Sequence, residues 1–367
     1  MFIFTFLKQD MIMVMNDILD KAAGCIVGGA VGDALGYPVE FIGSFKAIAK
    51  RFGEGGIKDY VLSDFGASTN GPETGVALIS DDTQMTLYTM EGILEAEKHD
   101  SALIPTVLDA YIAWYAGQSH EAVKLNYESK LASIDELNQN RAPGTTCMSA
   151  LEYLSKGLNP INYSKGCGGV MRVSPIGIYG ALKELPLEET GRLAGEAAFL
   201  THKHEMSTYS SAMLAVMIQM CLLESVDDKS SLKNIINHAL EIVENIYGTE
   251  SDHLSKFKKV IHETMEWENG EEADWTIIEK ELGEGWIAEE ALSIALFSVL
   301  RHFESIEECL ICAVNHGGDS DSTGAVAGNI MGAIKGYEAI PEKFKQNLQF
   351  HDLLLTQTNT FCETLHK

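Results

Sequence analysis

Two short runs in this chain place carboxylates and hydroxyls side by side. The first is Ile79-Ser80-Asp81-Asp82-Thr83-Gln84-Met85, and the second runs from Asn315 through His316-Gly317-Gly318-Asp319-Ser320-Asp321-Ser322-Thr323 to Gly324. Each stands just ahead of an apolar helical run. Asp and Ser are good N-caps because their oxygens accept from free backbone N–H groups, so either run alone reads equally well as a cap. Two adjacent carboxylates repel unless something positive lies between them, and neither run contains a Lys or Arg. A hard divalent cation would supply that charge, and oxygen donors suit Mg²⁺, Mn²⁺ or Ca²⁺ over zinc. Two such runs in one chain favour a shared metal site.

Three further segments carry groups that chemistry could use. Gly28 to Phe41 holds Gly28-x-x-x-Gly32 and Gly36, a spacing for close helix packing and a turn at the helix end. The glycines follow a helix and not a strand, so this is no dinucleotide fingerprint. Asp33 reads as a structural hydrogen-bonding group. Glu40, between Val39 and Phe41, is a candidate for a carboxylate held protonated. In Lys165-Gly166-Cys167-Gly168-Gly169-Val170-Met171-Arg172, three glycines in four residues let backbone approach a ligand, or form an ordinary loop before a helix. In Thr201-His202-Lys203-His204, histidines at i and i+2 would face apart on a helix, which reads as one surface and one packed histidine. Cys309 and Cys312 form a C-x-x-C inside an apolar helical run with no second pair, and read as buried helix residues.

The elements that must position these groups are helices. Apolar stripes at helical spacing run over Asp17 to Val31, Asp82 to Glu97, Leu193 to Leu223, Leu232 to Tyr247, Ile287 to His302 and Asp321 to Ile334. Strand signals are few and no repeat of 20–50 residues is visible. Gly53 to Gly75 reads as one long loop. Ser225 to Gly285 is the most charged stretch and reads as peripheral. No linker divides the chain. The expectation is one all-α domain over residues 17–367, preceded by an N-terminal extension of residues 1–16.

The chain has 367 residues, 46% of them hydrophobic, enough for a sizeable core. A formal net charge of −26 repels nucleic acid. The acidic cluster around Glu268 to Glu272 reads as a solvated face. Seven cysteines without framework spacing point to a reducing cytoplasm. Met1 to Leu7 is apolar but short, Lys8 and Asp10 follow, and the expectation is neither a signal peptide nor a membrane span.

Five runs, in this order, resemble the ADP-ribosylglycohydrolase family, and within it the branch that activates dinitrogenase reductase. They are G-A-x-G-D-A-L-G-x-x-x-E-F (Gly29 to Phe41), S-D-D-T-x-M (Ser80 to Met85), G-x-G-x-x-M-R-x-x-P (Gly166 to Pro175), Thr201-His202, and G-G-D-x-D-S-x-G-A (Gly317 to Ala325). The resemblance implies a single-domain orthogonal helical bundle with two divalent ions, Mg²⁺ foremost and Mn²⁺ as the alternative, at the base of a cleft. It implies Ser80, Asp81, Asp82, Asp319, Asp321 and Ser322 as metal ligands. It implies Glu40, Asp81 and Asp319 as catalytic carboxylates, and Gly144, Gly166, Cys167, Gly168, Met171 and His202 as the residues that hold ADP-ribose. Family members commonly carry Asn where Cys167 stands, and many carry Thr where Ser322 stands. The implied reaction is hydrolysis of the bond between ADP-ribose and a protein side chain, foremost arginine, so an ADP-ribosylated protein is the expected partner. The alternative is an immunity-type protein that blocks an ADP-ribosyltransferase toxin through residues 1–16.

Overall fold

The helical periodicity is realised as sixteen α-helices among the described residues. The computed structural model of the protein describes residues 2–63, 75–120, 122–248 and 251–366, with side chains from residue 15 onward. In order they are α1 (Phe2–Gly36), α2 (Phe45–Phe52), α3 (Asp81–His99), α4 (Leu103–Ser119), α5 (Thr145–Ser155), α6 (Ser174–Leu182), α7 (Leu187–Phe199) and α8 (Glu205–Leu223). There follow α9 (Lys229–Tyr247), α10 (Asp252–Trp267), α11 (Asp274–Ile277), α12 (Ala288–Arg301), α13 (Ile306–Val314), α14 (Ser320–Lys335), α15 (Glu342–Gln346) and α16 (His351–Leu365). Residues 2–16, expected as a separate extension, continue the backbone of α1 without a break.

Helix α8 is the centre of the bundle. It packs against α6, α7, α9, α10, α12 and α14, and its residues from Met206 to Leu222 are all buried. Its length and apolarity would suffice for a membrane span, but here the apolar surface is turned on neighbouring helices.

The most extensive pairing is α1 against α14, and small residues make it possible. Gly24, Gly28, Gly32 and Gly36 on α1 face Gly332, Gly328, Gly324 and Ser320 on α14, at four-residue steps on both helices. A Cβ at Gly28 would stand 2.6 Å from the carbonyl oxygen of Gly328, a backbone atom that cannot turn aside. This contact joins the end of α1, which leads to Glu40, to the start of α14, which carries Asp321. Gly28→Val should therefore lower stability by about 1–3 kcal/mol or more, read as a drop in melting temperature, with turnover falling alongside. An unchanged melting temperature would refute the close approach.

Three expectations are corrected. The stripe from Leu193 to Leu223 is two helices, because Thr201-His202-Lys203 form a turn between α7 and α8 and the His204 imidazole caps α8 by accepting from Met206 N–H at 3.0 Å. Both histidines are consequently buried. Gly53 to Gly75 is not wholly loop: strand β1 (Leu62–Ser63) pairs antiparallel with β2 (Val76–Ala77), and residues 64–74 lie outside the described residues. Glu268 is buried rather than solvated, because Lys233 and Lys229 of α9 reach its carboxylate.

Candidate active site

The site forms where the N-termini of α3 and α14 meet the turn after α1. Asp33, in the last turn of α1, is fully buried and ties the parts together. Its carboxylate accepts from Ser80 N–H at 2.9 Å, from Thr83 N–H at 3.2 Å and from the Thr83 hydroxyl, so its reading as a structural hydrogen-bonding group holds. The Ser80 hydroxyl caps α3, accepting from Asp82 N–H at 3.2 Å. Asp319 also occupies an N-cap position, on α14, yet its side chain makes no capping bond. Capping therefore accounts for Ser80 and leaves the carboxylates of Asp319, Asp321, Asp81 and Asp82 to be explained otherwise.

Those four carboxylates, with Glu40 and Ser322, line one cavity of about 290 Å³. Oxygens of Glu40, Asp319 and Asp321 lie within 4.8 Å of one another. Asp82 Oδ1 and Glu40 Oε2 are buried with no hydrogen-bond partner. Burial raises every carboxyl in the group above its usual range, and repulsion from Asp321 adds to it at the others. Glu40 is pushed up to about 10, first by burial and then by Asp321, Asp319 and Asp81, and Asp33 up to about 7 by burial and then Asp321. Asp81, Asp82 and Asp319 are raised by burial first and by Asp321 next. The strongest charged neighbours of these groups are other carboxylates. Converging acids with orphaned oxygens, whose strongest charged neighbours are acids too, suit divalent cations as counter-charge. Of the anticipated ligands only Ser80 lies off the cavity surface, with its hydroxyl at the cap.

The same cavity is lined by Gly144, Gly166, Cys167, Gly168, Met171 and His202, the set anticipated for ADP-ribose. Gly144 N–H points at Asp81 Oδ2 at 3.4 Å, and Asp81 N–H donates to Arg141 C=O, so the loop before α5 is held on α3. The glycine loop is pinned from the other side: Cys167 N–H donates to Trp286 C=O and Ala288 N–H to Lys165 C=O.

The family profile for ADP-ribosylglycohydrolase matches residues 15–366. The chain belongs to the ADP-ribosylglycohydrolase family. It is therefore a hydrolase of glycosidic bonds to ADP-ribose, built on the all-helical fold of that family. ADP-ribosylhydrolase ARH3 of Bos taurus is 22% identical to this ADP-ribosylglycohydrolase homologue over 95% of the chain and 93% of its own length. The ADP-ribosyl-(dinitrogen reductase) glycohydrolase of Rhodospirillum rubrum is 23% identical over 92% of each chain. A solved structure described as an ADP-ribosylglycohydrolase-related protein complex superposes with a TM-score of 0.64 at 23% identity, covering 95% of this chain and 99% of that one.

Two features of this ADP-ribosylglycohydrolase site were not legible in the sequence. Phe41, 68% exposed and at φ 65°, stacks on Trp286 with ring centroids 5.4 Å apart, and both rings line the cavity. A pair formed between such distant segments leaves no local spacing signal. The second feature is Arg172, fully buried behind the glycine loop without a carboxylate partner among its hydrogen bonds. Its guanidinium lies over the Tyr111 ring at 4.3 Å and donates to Thr201 Oγ1 at 2.7 Å. Thr201 Oγ1 in turn lies 2.9 Å from His202 Nδ1. The Thr201 hydroxyl also lies 3.4 Å from Ala198 C=O, so Arg172, Thr201 and His202 form one polar chain behind the glycine loop. The Nε2 edge faces Gly166. Burial, and next Arg172, lower the His202 pKa to about 3, so the ring at the cavity wall is neutral. The M-R and T-H motifs are thus one assembly.

Proposed function

We propose that this protein removes ADP-ribose from modified protein side chains in the cytoplasm, with divalent cations, Mg²⁺ foremost, and with ADP-ribosyl-arginine as the preferred linkage. The observation that carries the reading is the meeting of five acidic side chains in one cavity, with orphaned oxygens, against a glycine-rich wall. Asp81, Asp82, Asp319, Asp321 and Ser322 would hold the cations. When bound, they supply Lewis acidity and an acidified water at the cavity floor. Glu40 has an orphaned oxygen beside that cluster and is placed to give or take a proton. The backbone of Gly166 to Gly168 and the His202 imidazole would hold the phosphates or ribose. Phe41 and Trp286 offer ring faces to whatever is bound at the mouth. The linkage preference rests on the resemblance of the Gly29 to Phe41 run to the dinitrogenase-reductase branch. The reading in which residues 1–16 block a toxin has no observation that favours it.

The test is release of ADP-ribose from ADP-ribosyl-arginine and ADP-ribosyl-serine proteins, with Mg²⁺ and after chelation. Faster release from arginine that chelation abolishes is expected. Release that persists in chelator would reject the metal, and preference for serine would reject the linkage. Glu40→Gln should slow turnover by roughly 10²–10⁴-fold.

The Arg172-Thr201-His202 assembly makes a separate prediction. Thr201→Val removes the hydroxyl that orients the imidazole while keeping volume. KM should rise roughly tenfold, the equivalent of one hydrogen bond of about 1.4 kcal/mol, and Thr201→Ser should restore it. Equal KM values in the three proteins would show that ring orientation does not matter for binding.

A further inference from the structure

The lining of the acidic cavity contains sulfur. Cys167 Sγ lies 2.7 Å from Asp319 Oδ2, to which its thiol donates, and 3.6 Å from Ser322 Oγ. Met171 Sδ lies 3.9 Å from the same Ser322 Oγ. Asp82, only 3% exposed, lines the same cavity with Oδ1 unpartnered. The Cys167 thiol thus touches both the Asp319 carboxylate and the Ser322 hydroxyl, with the Met171 thioether beside that hydroxyl, in the cavity that Asp82 also lines. Hard ions such as Mg²⁺ gain nothing from sulfur, whereas Zn²⁺, Cd²⁺ and Co²⁺ bind thiolate well.

The other cysteines do not share this position. Cys25, Cys221, Cys309, Cys312 and Cys362 are buried elsewhere in the helical packing. Cys147 also lines the cavity, but its Sγ lies 3.4 Å from the Arg172 guanidinium, where positive charge opposes a second cation. Cys167 alone combines access to the cavity with an acidic surround.

We infer that Cys167 is a ligand for a thiophilic divalent cation, so that this centre is a mixed sulfur–oxygen site where Zn²⁺, Cd²⁺ or Co²⁺ competes with Mg²⁺. The inference rests on the reading of the carboxylate cluster as a metal site. On binding, the thiol gives up its proton to solvent and the cation takes the place of the Cys167–Asp319 hydrogen bond. Asp319 and Ser322, the groups the thiol already touches, are the oxygen donors beside it.

Co²⁺ titration of the whole, chelator-treated protein is the test, because thiolate ligation gives a near-ultraviolet charge-transfer absorption that oxygen ligands do not. The wild type should show this band, and Cys167→Ser and Cys167→Ala should lack it. Cd²⁺ affinity should fall at least about tenfold in both variants, equivalent to about 1.4 kcal/mol, while Mg²⁺ affinity, read by thermal shift, changes less than about twofold. Co²⁺ bound without the band in the wild type overturns thiol ligation and leaves the metal site standing. A band that survives in Cys167→Ser but is lost in Cys147→Ser overturns the assignment to Cys167. No binding of any of these ions overturns both the inference and the metal reading beneath it.

Discussion

Asp321→Asn should abolish hydrolysis and at the same time raise the melting temperature of the chelator-treated protein. Both effects follow from the place of Asp321 at the centre of the acidic cluster. It is the largest charged contributor to the raised pKa of Asp33, Glu40, Asp81, Asp82 and Asp319 alike. Asn keeps the shape and the Oδ1 acceptor for Ser322 N–H but removes the charge. Relief of repulsion worth one pKa unit is about 1.4 kcal/mol, so the metal-free variant gains at least that order of stability. Cation affinity is lost in exchange, and with it a Lewis-acid contribution of several kcal/mol. Turnover should fall roughly 10³-fold, since each ~1.4 kcal/mol is a factor of ten. Circular dichroism should show unchanged helix. Wild-type turnover at limiting Mg²⁺ would remove Asp321 from the site. A loss of melting temperature would mean that the hydrogen bonds its carboxylate accepts outweigh the repulsion it causes.

The second large effect joins pH to metal. Chelator-treated protein should melt at a lower temperature at pH 8 than at pH 5.5, and saturating Mg²⁺ should flatten or reverse that order. A carboxyl with a raised folded-state pKa holds its proton in the folded state where the unfolded chain has released it. Its contribution to stability is then complete below the unfolded value of 3.8 for Asp33 or 4.5 for Glu40. It is lost as pH rises, through about 7 for Asp33 and about 10 for Glu40. A bound cation gives the buried carboxylates a counter-charge and so opposes both causes of the rise, burial first and then repulsion from Asp321. At about a hundred times its dissociation constant it also adds roughly 2.7 kcal/mol by mass action. Melting curves at the two pH values, with and without Mg²⁺, decide the matter. A melting temperature that rises with pH in chelator, or does not respond to Mg²⁺, would be incompatible with an unneutralised acidic cluster.

The trade between these effects explains why such an arrangement persists in a folded chain. Buried carboxylates without counter-charge oppose folding, and the packing that holds them must come from elsewhere. It comes from the interleaved glycines of α1 and α14 and from α8, whose whole circumference is buried. Stability and chemistry are thus carried by different parts of the same helices: α14 contributes Asp321 at its first turn and Gly324, Gly328 and Gly332 along its length.

By itself the sequence determined what is local. Helical periodicity placed the ends of α3, α12 and α14 within a residue or two, because an amphipathic or small-residue stripe is a property of consecutive positions. Hydroxyls and carboxylates crowded at a helix start, with no basic residue beside them, marked both acidic runs for the same reason. The family's motifs, read in order, pointed to the wall from Gly166 to Met171 and to His202, which the cavity unites. Other features depended on atoms brought together from distant segments. The break between α7 and α8 falls at the polar run Thr201 to Glu205, where the cap that His204 makes starts a new helix. The stacking of Phe41 on Trp286, the burial of Arg172 against Tyr111 and Thr201, and the contact of Cys167 with Asp319 exist only once the helices have docked. Sequence spacing records which groups the chain owns and which face of a helix they occupy. Which oxygen is left without a partner, and which sulfur stands beside it, is decided by tertiary packing, because burial and charge act through space and not along the chain.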